Sequence, residues 1–231
     1  MCGFAGFVGE VENREQVLEN MIDTIIHRGP DSSGKFVDED AALGFRRLSI
    51  IDLSESGDQP LYNEDRSKVL VFNGEIYNYQ ELREELIQAG HTFVSNTDSE
   101  TLIHGYEQWG EELVYRLRGM YAFAIWDQKA KRLFSARDIF GIKPLYYAQM
   151  NGTLMFGSEI KSFLEHPKFD KVFNEDALGN YLSFQFVPTN ETFFKGVFCV
   201  QPGHYFVYEN GKMTIKRYFE PNFTGDTTKI L

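Results

Sequence analysis

The chain has 231 residues, 42% of them hydrophobic and including 21 Phe, 12 Tyr and 2 Trp, enough core material for one large domain or at most two. Its 23 Lys and Arg against 34 Asp and Glu leave a formal charge of −11, which excludes non-specific nucleic-acid binding, because a phosphate backbone is gripped by clustered cations. No run of about 18 apolar residues occurs, and MCGFAGFVGE has no basic segment ahead of an apolar one, so neither a membrane span nor a secretory leader is expected; Cys2 and Cys199 alone make no disulfide framework and suit the cytoplasm.

Strand character begins at once, over 3–9 (GFAGFVG), and a helix is predicted over 14–26. Strands follow over 41–46 and 68–72. Helices over 78–89 and 97–109 each open on a polar residue with Glu three positions on (Asn78 and Glu81, Thr97 and Glu100), the spacing of a capping box. After a helix over 111–117 come strands over 121–126, 132–136, 145–150 and 153–157, helices over 159–165 and 174–183, and strands over 204–208 and 212–219. Asn151-Gly152 and Asn210-Gly211 lie between strands and tolerate positive φ, which suits two-residue hairpins and antiparallel pairing. VLVF and YAFAIW are apolar on both faces, so their sheet must be covered on both sides. The expected class is α+β, a four-layer αββα sandwich with mostly antiparallel sheets. Residues 221–231 read as the start of a linker, after one domain over 1–220.

Four places hold residues able to do chemistry. Removal of Met1, which the small Cys2 side chain permits, would leave one residue with both a thiol and an α-amine of pKa about 7.7–8.0, a nucleophile with its own base; the ordinary reading is a small apolar residue starting a strand. In GFRRLSIIDLS (44–54), the guanidinium fork of Arg46 or Arg47 could hold a carboxylate, and alternation lets only one of the two face a given pocket. In VFNGEIYN (71–78) the strand is expected to stop at Asn73-Gly74, whose side-chain and backbone N–H groups could converge on an oxyanion, with Glu75 adding a negative charge. Taken alone, Asn-Gly is a turn. In SNTDSETL (95–102), Asp98 either complements the helix dipole or neutralises a substrate ammonium. Together these groups complement a free amino acid with a side-chain carbonyl to be attacked, the shape of glutamine.

CGFAGF, HRGPD (27–31), RLSIIDLS (47–54), QPL (59–61), NGEIYN (73–78), TDSE (97–100), GMYAFAIWD (119–127), RDIFGIKPLYY (137–147) and FGSEIKSF (156–163) resemble, in order, the glutaminase domain of the asparagine synthetase B type. The resemblance runs from residue 2 to about 220. It implies a class II glutamine amidotransferase of the N-terminal nucleophile hydrolase (Ntn hydrolase) superfamily, with the same αββα sandwich. By that resemblance Cys2 is the nucleophile, Asn73 and the Gly74 N–H form the oxyanion hole, and Arg47 holds the glutamine α-carboxylate. Asp98 and the Gly74–Glu75 segment hold the α-amino end, and backbone groups of Leu48, Ser49, Ile50 and Ile51 complete the glutamine strip. The acyl-enzyme is a γ-glutamyl thioester on Cys2, and no metal or other cofactor is needed for this half-reaction. ATP and magnesium are expected only in a synthetase domain beyond Leu231, since neither an SGG-type loop nor GxxxxGK[ST] is present here.

His27 and Arg28 could serve the site or brace the fold, RDIFGIKPLYY is taken as structural, and Cys199 is expected to be buried and inert. His91, His104, His166 and His204 show no metal-ligand spacing and are assigned none. Glutamine and a C-terminal synthetase domain are the expected partners, with no nucleic acid and no membrane. An apolar face left for that domain would also permit a homodimer. The rivals are the glutaminase domain of a phosphoribosyl-pyrophosphate or hexosamine-phosphate amidotransferase, a domain serving another acceptor, a non-glutamine amidase, and a non-catalytic interaction domain.

Overall fold

The computed structural model describes residues 2–48 and 57–222. One six-stranded sheet holds β1 (Gly3–Val8), β2 (Ser32–Val37), β3 (Ala41–Arg47), β8 (Tyr146–Met150), β9 (Thr153–Gly157) and β10 (Val197–Cys199), in the order β10-β8-β9-β1-β3-β2. The other holds β4 (Leu61–Tyr62), β5 (Lys68–Ile76), β6 (Gly119–Asp127), β7 (Arg132–Arg137), β11 (His204–Glu209) and β12 (Lys212–Arg217), in the order β12-β11-β7-β6-β5-β4. Neighbouring strands pair antiparallel in both. Four α-helices are described: α1 (Arg14–Asp23), α2 (Tyr79–Gln88), α3 (Asp98–Trp109) and α4 (Glu175–Phe184).

Strands apolar on both faces fill three layers of core. Phe4, Leu43, Val69, Val71, Trp126 and Phe156 pack between the sheets. Ala5, Phe7 and Ala42, pointing the other way from the first sheet, meet Leu18, Met21 and Ile22 of α1. Leu70, Phe72 and Phe123, pointing outward from the second sheet, meet Leu82 of α2 and Leu102 and Ile103 of α3. The molecule is therefore an αββα sandwich. The two Asn-Gly turns join β8 to β9 and β11 to β12 with both residues at positive φ, 49° and 76° in one and 52° and 74° in the other.

Four expectations need correction. The strand over 68–72 does not stop at Asn73: β5 runs to Ile76, with Asn73 opposite Ala122 and Gly74 opposite Tyr121. Neither capping box forms. The Glu100 carboxylate instead accepts from Val94 N, Ser95 N and Ser95 Oγ, pinning the loop before α3, and Asn78 bonds Arg116 O and Arg118 N. The predicted helices over 111–117 and 159–165 are 3-10 turns, Gly110–Tyr115 and Ile160–Glu165. Strands β2 and β4 were not expected: SSGKFV lacks apolar alternation, and Leu61–Tyr62 is too short to leave a pattern.

Candidate active site

Alternation along the strands decides which side chains share a space. On β5, Asn73 and Glu75 have the parity of Val69 and Val71, which face the inter-sheet core. Cys2 has the parity of Phe4 on β1 and packs against that same core, and Arg47 has the parity of Leu43 and Phe45 on β3. β5 packs against β1 and β3 across the sandwich. Cys2, Arg47 and Asn73 therefore line facing walls of one inter-sheet space.

A relay of neighbours ties these walls together. Leu48 N donates to Cys2 Sγ at 3.3 Å, and the thiol reaches Leu48 O at 3.5 Å. One residue back, Arg47 Nη1 donates to Asp58 Oδ1 at 2.8 Å, an oxygen that also accepts from Ser32 Oγ. One residue on from Asp58, the Gln59 side chain takes the place of a strand: Phe72 N donates to Gln59 Oε1 at 2.6 Å and Gln59 Nε2 to Phe72 O at 3.2 Å. Asn73 follows directly.

Asn73 is 2% exposed, and its Nδ2 has no hydrogen-bond partner among the described residues. A buried amide donor left unpaired costs roughly 1–3 kcal/mol, so it needs an explanation. Gly74 has a separate reason for being glycine, because a Cβ there would stand 2.3 Å from Met120 O and 2.7 Å from Tyr121 Cα. The N–H groups of Phe72, Gly74 and Ile76 point to one side of β5 by the strand's alternation. Gln59 takes the first and Asp98 Oδ2 the last, at 2.8 Å, so the Gly74 N–H faces the gap between them.

Asp98 opens α3 and reaches this edge through Ile76. Burial pushes its carboxyl above the usual range; the Ile76 and Ser99 N–H groups draw it back, and the charge of Glu75 adds to the rise. Two carboxylates thus stand near one another, which is the electrostatic complement of an ammonium group.

The arginine pair divides as alternation required, yet neither member is a solvated surface residue. Arg46 turns outward to Ile22 O and Asp23 Oδ1 at the end of α1, and Arg47, 7% exposed, stays inside. Gly57 lies over Arg47, since a Cβ there would meet Nη2 at 2.5 Å. Of the other candidates, Leu48 is at the thiol, whereas Ser49, Ile50 and Ile51 lie outside the described residues, as do Met1 and 223–231 of the segment expected to begin a linker.

Arg28, for which the sequence left a place at the site or in the fold's bracing, is joined here by Asp58, Gln59 and Glu159, to which the sequence assigned no role. Arg28 Nε donates to Cys2 O at 3.0 Å and its Nη1 to Glu159 Oε1 at 2.9 Å, an oxygen also met by His27 Nε2. Burial would raise the Glu159 carboxyl, but Arg28, His27 and Lys161 together bring it down to about 2. The HRGPD block therefore anchors the backbone that carries Cys2. RDIFGIKPLYY is a brace elsewhere: Asp138, fully buried, accepts from the N–H groups of Tyr121, Phe140, Ile142 and Lys143. Cys199 is half-buried rather than buried, with Arg137 Nη1 2.9 Å from its sulfur, and burial raises its thiol.

The layering is the αββα sandwich of the Ntn hydrolase fold. Residues 1–219 match the model of the glutamine amidotransferase domain, and the chain belongs to that family. It is 46% identical over 229 residues to asparagine synthetase [glutamine-hydrolyzing] 1 of Bacillus subtilis (strain 168), a match covering 96% of this chain and 36% of that protein. It is 36% identical over 221 residues to amidase chry2 of Gibberella zeae, covering 90% of this chain and 32% of that protein. The chain thus spans about a third of the length of the curated relatives it matches. Among solved structures, the B. subtilis glutamine phosphoribosylpyrophosphate amidotransferase complexed with ADP and GMP shares the fold with a TM-score of 0.70 at 21% identity, over 95% of this chain and 50% of that one. An allosteric regulatory enzyme of purine biosynthesis gives a TM-score of 0.72 at 20% identity, with the same coverage.

Proposed function

We propose that this chain hydrolyses glutamine through a γ-glutamyl thioester on Cys2 and supplies the ammonia to ATP-driven asparagine synthesis by a further domain. The observation that carries the reading is Asn73 Nδ2, a buried donor with no partner among the described residues, on the inner wall of the sandwich opposite the strand that Cys2 precedes.

Arg47 holds the substrate α-carboxylate, assisted by backbone groups of Leu48, Ser49, Ile50 and Ile51. Asp98 and Glu75 receive its ammonium. With Met1 removed, the Cys2 α-amine takes the thiol proton, and the sulfur attacks the amide carbon. Negative charge gathers on the carbonyl oxygen, where Asn73 Nδ2 and Gly74 N stabilise it. The C–N bond breaks as the ammonium returns the proton to the leaving nitrogen, giving ammonia and the thioester. Water, deprotonated by the same amine, then attacks the acyl carbon, the C–S bond breaks, and glutamate leaves with the thiol restored.

ATP and magnesium belong, in this reading, to the further domain and not to this one. Its contact face is offered around α4, where Leu178, Tyr181, Leu182, Phe184 and Phe186 are all exposed. No helix among the described residues is long and apolar enough to cross a membrane, and we place the protein in the cytoplasm. Incubating the chain with glutamine, aspartate and Mg-ATP should release ammonia and glutamate without asparagine or AMP, and intact mass should show active protein beginning at Cys2. Ammonia release that persists in Cys2→Ala, or full activity with Met1 retained, would sink this mechanism.

A further inference from the structure

Away from the thiol, on the helical side of the second sheet, four side chains from three segments converge. Glu64 lies in the turn between β4 and β5, His91 follows α2, and His104 and Glu107 stand one turn apart on α3. One ligand atom from each can be chosen so that all four lie within 4.8 Å of one another. His104 is 1% exposed and neither ring nitrogen has a hydrogen-bond partner among the described residues; Glu107 Oε2 is buried and unpartnered too.

The surroundings assign the tautomers. His104 Nε2 faces Glu100 Oε1 at 3.5 Å, and the same carboxylate accepts from Ser95 Oγ and from the N–H groups of Val94 and Ser95. A carboxylate oxygen can only accept from a ring N–H, which favours the proton on Nε2. His91 Nε2 lies 3.2 Å from Gln108 Oε1, an acceptor that does the same. Both Nδ1 lone pairs then face carboxylates: His104 Nδ1 is 3.3 Å from Glu64 Oε2 and 3.8 Å from Glu107 Oε2, and His91 Nδ1 is 3.5 Å from Glu64 Oε1. Lone pairs set against anionic oxygens repel, so something positive belongs between them. The other Glu107 oxygen is already taken by Asn63 Nδ2 at 2.8 Å, with Lys68 Nζ at 3.7 Å, leaving Oε2 directed at the histidine.

We propose that Glu64, His91, His104 and Glu107 bind one divalent transition-metal ion, with Zn²⁺ the best match. Two imidazole nitrogens and two carboxylate oxygens are a borderline donor set that suits Zn²⁺, whereas Ca²⁺ and Mg²⁺ prefer oxygen alone. With bonds of about 2.0–2.2 Å, a tetrahedral site has donor edges of roughly 3.3–3.6 Å, and the His104 Nδ1–Glu64 Oε2 contact already falls in that range. Glu100 on His104 Nε2 is the outer carboxylate that orients a metal-bound histidine. The ion would fasten the connector from α2 to α3 and the β4–β5 turn onto α3.

The aminothiol of Cys2 could itself chelate zinc, so the test uses the full chain carrying Cys2→Ala and Cys199→Ala, stripped of metal. Calorimetric titration with Zn²⁺ should show one equivalent bound with Kd on the order of 1 µM or below, and a rise in Tm. Co²⁺ should give visible bands without thiolate charge transfer. Adding His91→Ala and Glu64→Gln, both at half-buried or exposed positions, should weaken binding at least about tenfold while circular dichroism stays unchanged. Absence of Zn²⁺ binding would overturn the site. One-to-one binding untouched by the two added substitutions would place the ion elsewhere and overturn it equally.

Discussion

Asn-Gly stands at 73–74, 151–152 and 210–211, and the first of these behaves unlike the other two. At 151–152 and 210–211 both residues take positive φ and reverse the chain, and a Cβ on Gly152 or Gly211 would meet nothing within 4 Å. At 73–74 the backbone stays in β5, paired to Ala122 and Tyr121, and a Cβ on Gly74 would collide with Met120 O. The same two residues serve as a hinge in one setting and as a wall in the other. What separates them is the flanking chain: nine residues of β5 are held by β6 on one side and by β4 and the Gln59 amide on the other, so a turn at 73 would forfeit that pairing. A local preference yields when more hydrogen bonds lie along the competing conformation.

The largest effect should come from breaking the wall. Asn73→Ala removes the unpaired buried donor, so it should lower kcat roughly 100- to 1,000-fold with KM little changed. Folding stability should hold, since no described protein partner loses a bond. A melting temperature that collapses together with kcat would reassign Asn73 to the fold. The next effect belongs to Arg47→Lys, which keeps the charge but not the fork, and steady-state kinetics should show it mainly as a higher KM worth about 1.5–3 kcal/mol.

Much of this wall could be read from residue order, and the limits of that reading have physical causes. Cys2, Arg47, Asn73, Gly74, Glu75 and Asp98 were legible because each is a chemically unusual residue beside an apolar strand or at a helix start. The hairpins at 151–152 and 210–211 were legible because their geometry is local. The course of β5 through Asn73 was not, since it depends on strands from far along the chain. Glu100 looked like the end of a capping box, but its carboxylate found three donors in the preceding loop. Gln59 sits in a noted block, QPL, yet nothing in the order of residues says that its amide would replace a strand. The Glu64, His91, His104 and Glu107 cluster escaped for the same reason: its spacing matches no ligand motif because three separate segments supply it.

Asp98 meets the same wall from the side of the helix layer. Its folded carboxyl titrates above the ordinary Asp value, so the fold favours the protonated form. The linked stability is present in full below the unfolded value and is lost as pH rises through the raised folded one. At neutral pH the carboxylate is carried at a cost. Asp98→Asn should therefore be at least as stable as the parent at pH 7, with a flatter dependence of Tm on pH in the acid range, while its KM for glutamine rises. That rise should be smaller than for Arg47→Lys, because Glu75 still faces the ammonium. In the parent, KM should climb as pH falls through the raised value; a KM that stays level across that window would remove Asp98 from substrate binding.

The smallest effect tests the hinge. Gly211→Ala places a side chain in open space but at φ 74°, so its cost is backbone strain alone, about 1–2 kcal/mol of stability. The β11–β12 hairpin is at the far edge of the second sheet from β4 and β5, and none of the residues assigned to glutamine belongs to it. Denaturant unfolding should therefore register the loss while kcat and KM stay at parental values. Gly74→Ala is the counterpart, since that glycine is not held at positive φ and its Cβ would instead strike the backbone of β6. Overpacking of that kind forces the strand to shift, so Gly74→Ala should lose activity as well as stability. If the two alanine variants lose stability alike and both keep full activity, then Gly74 serves only the packing of β5 on β6, and the part assigned to its N–H falls.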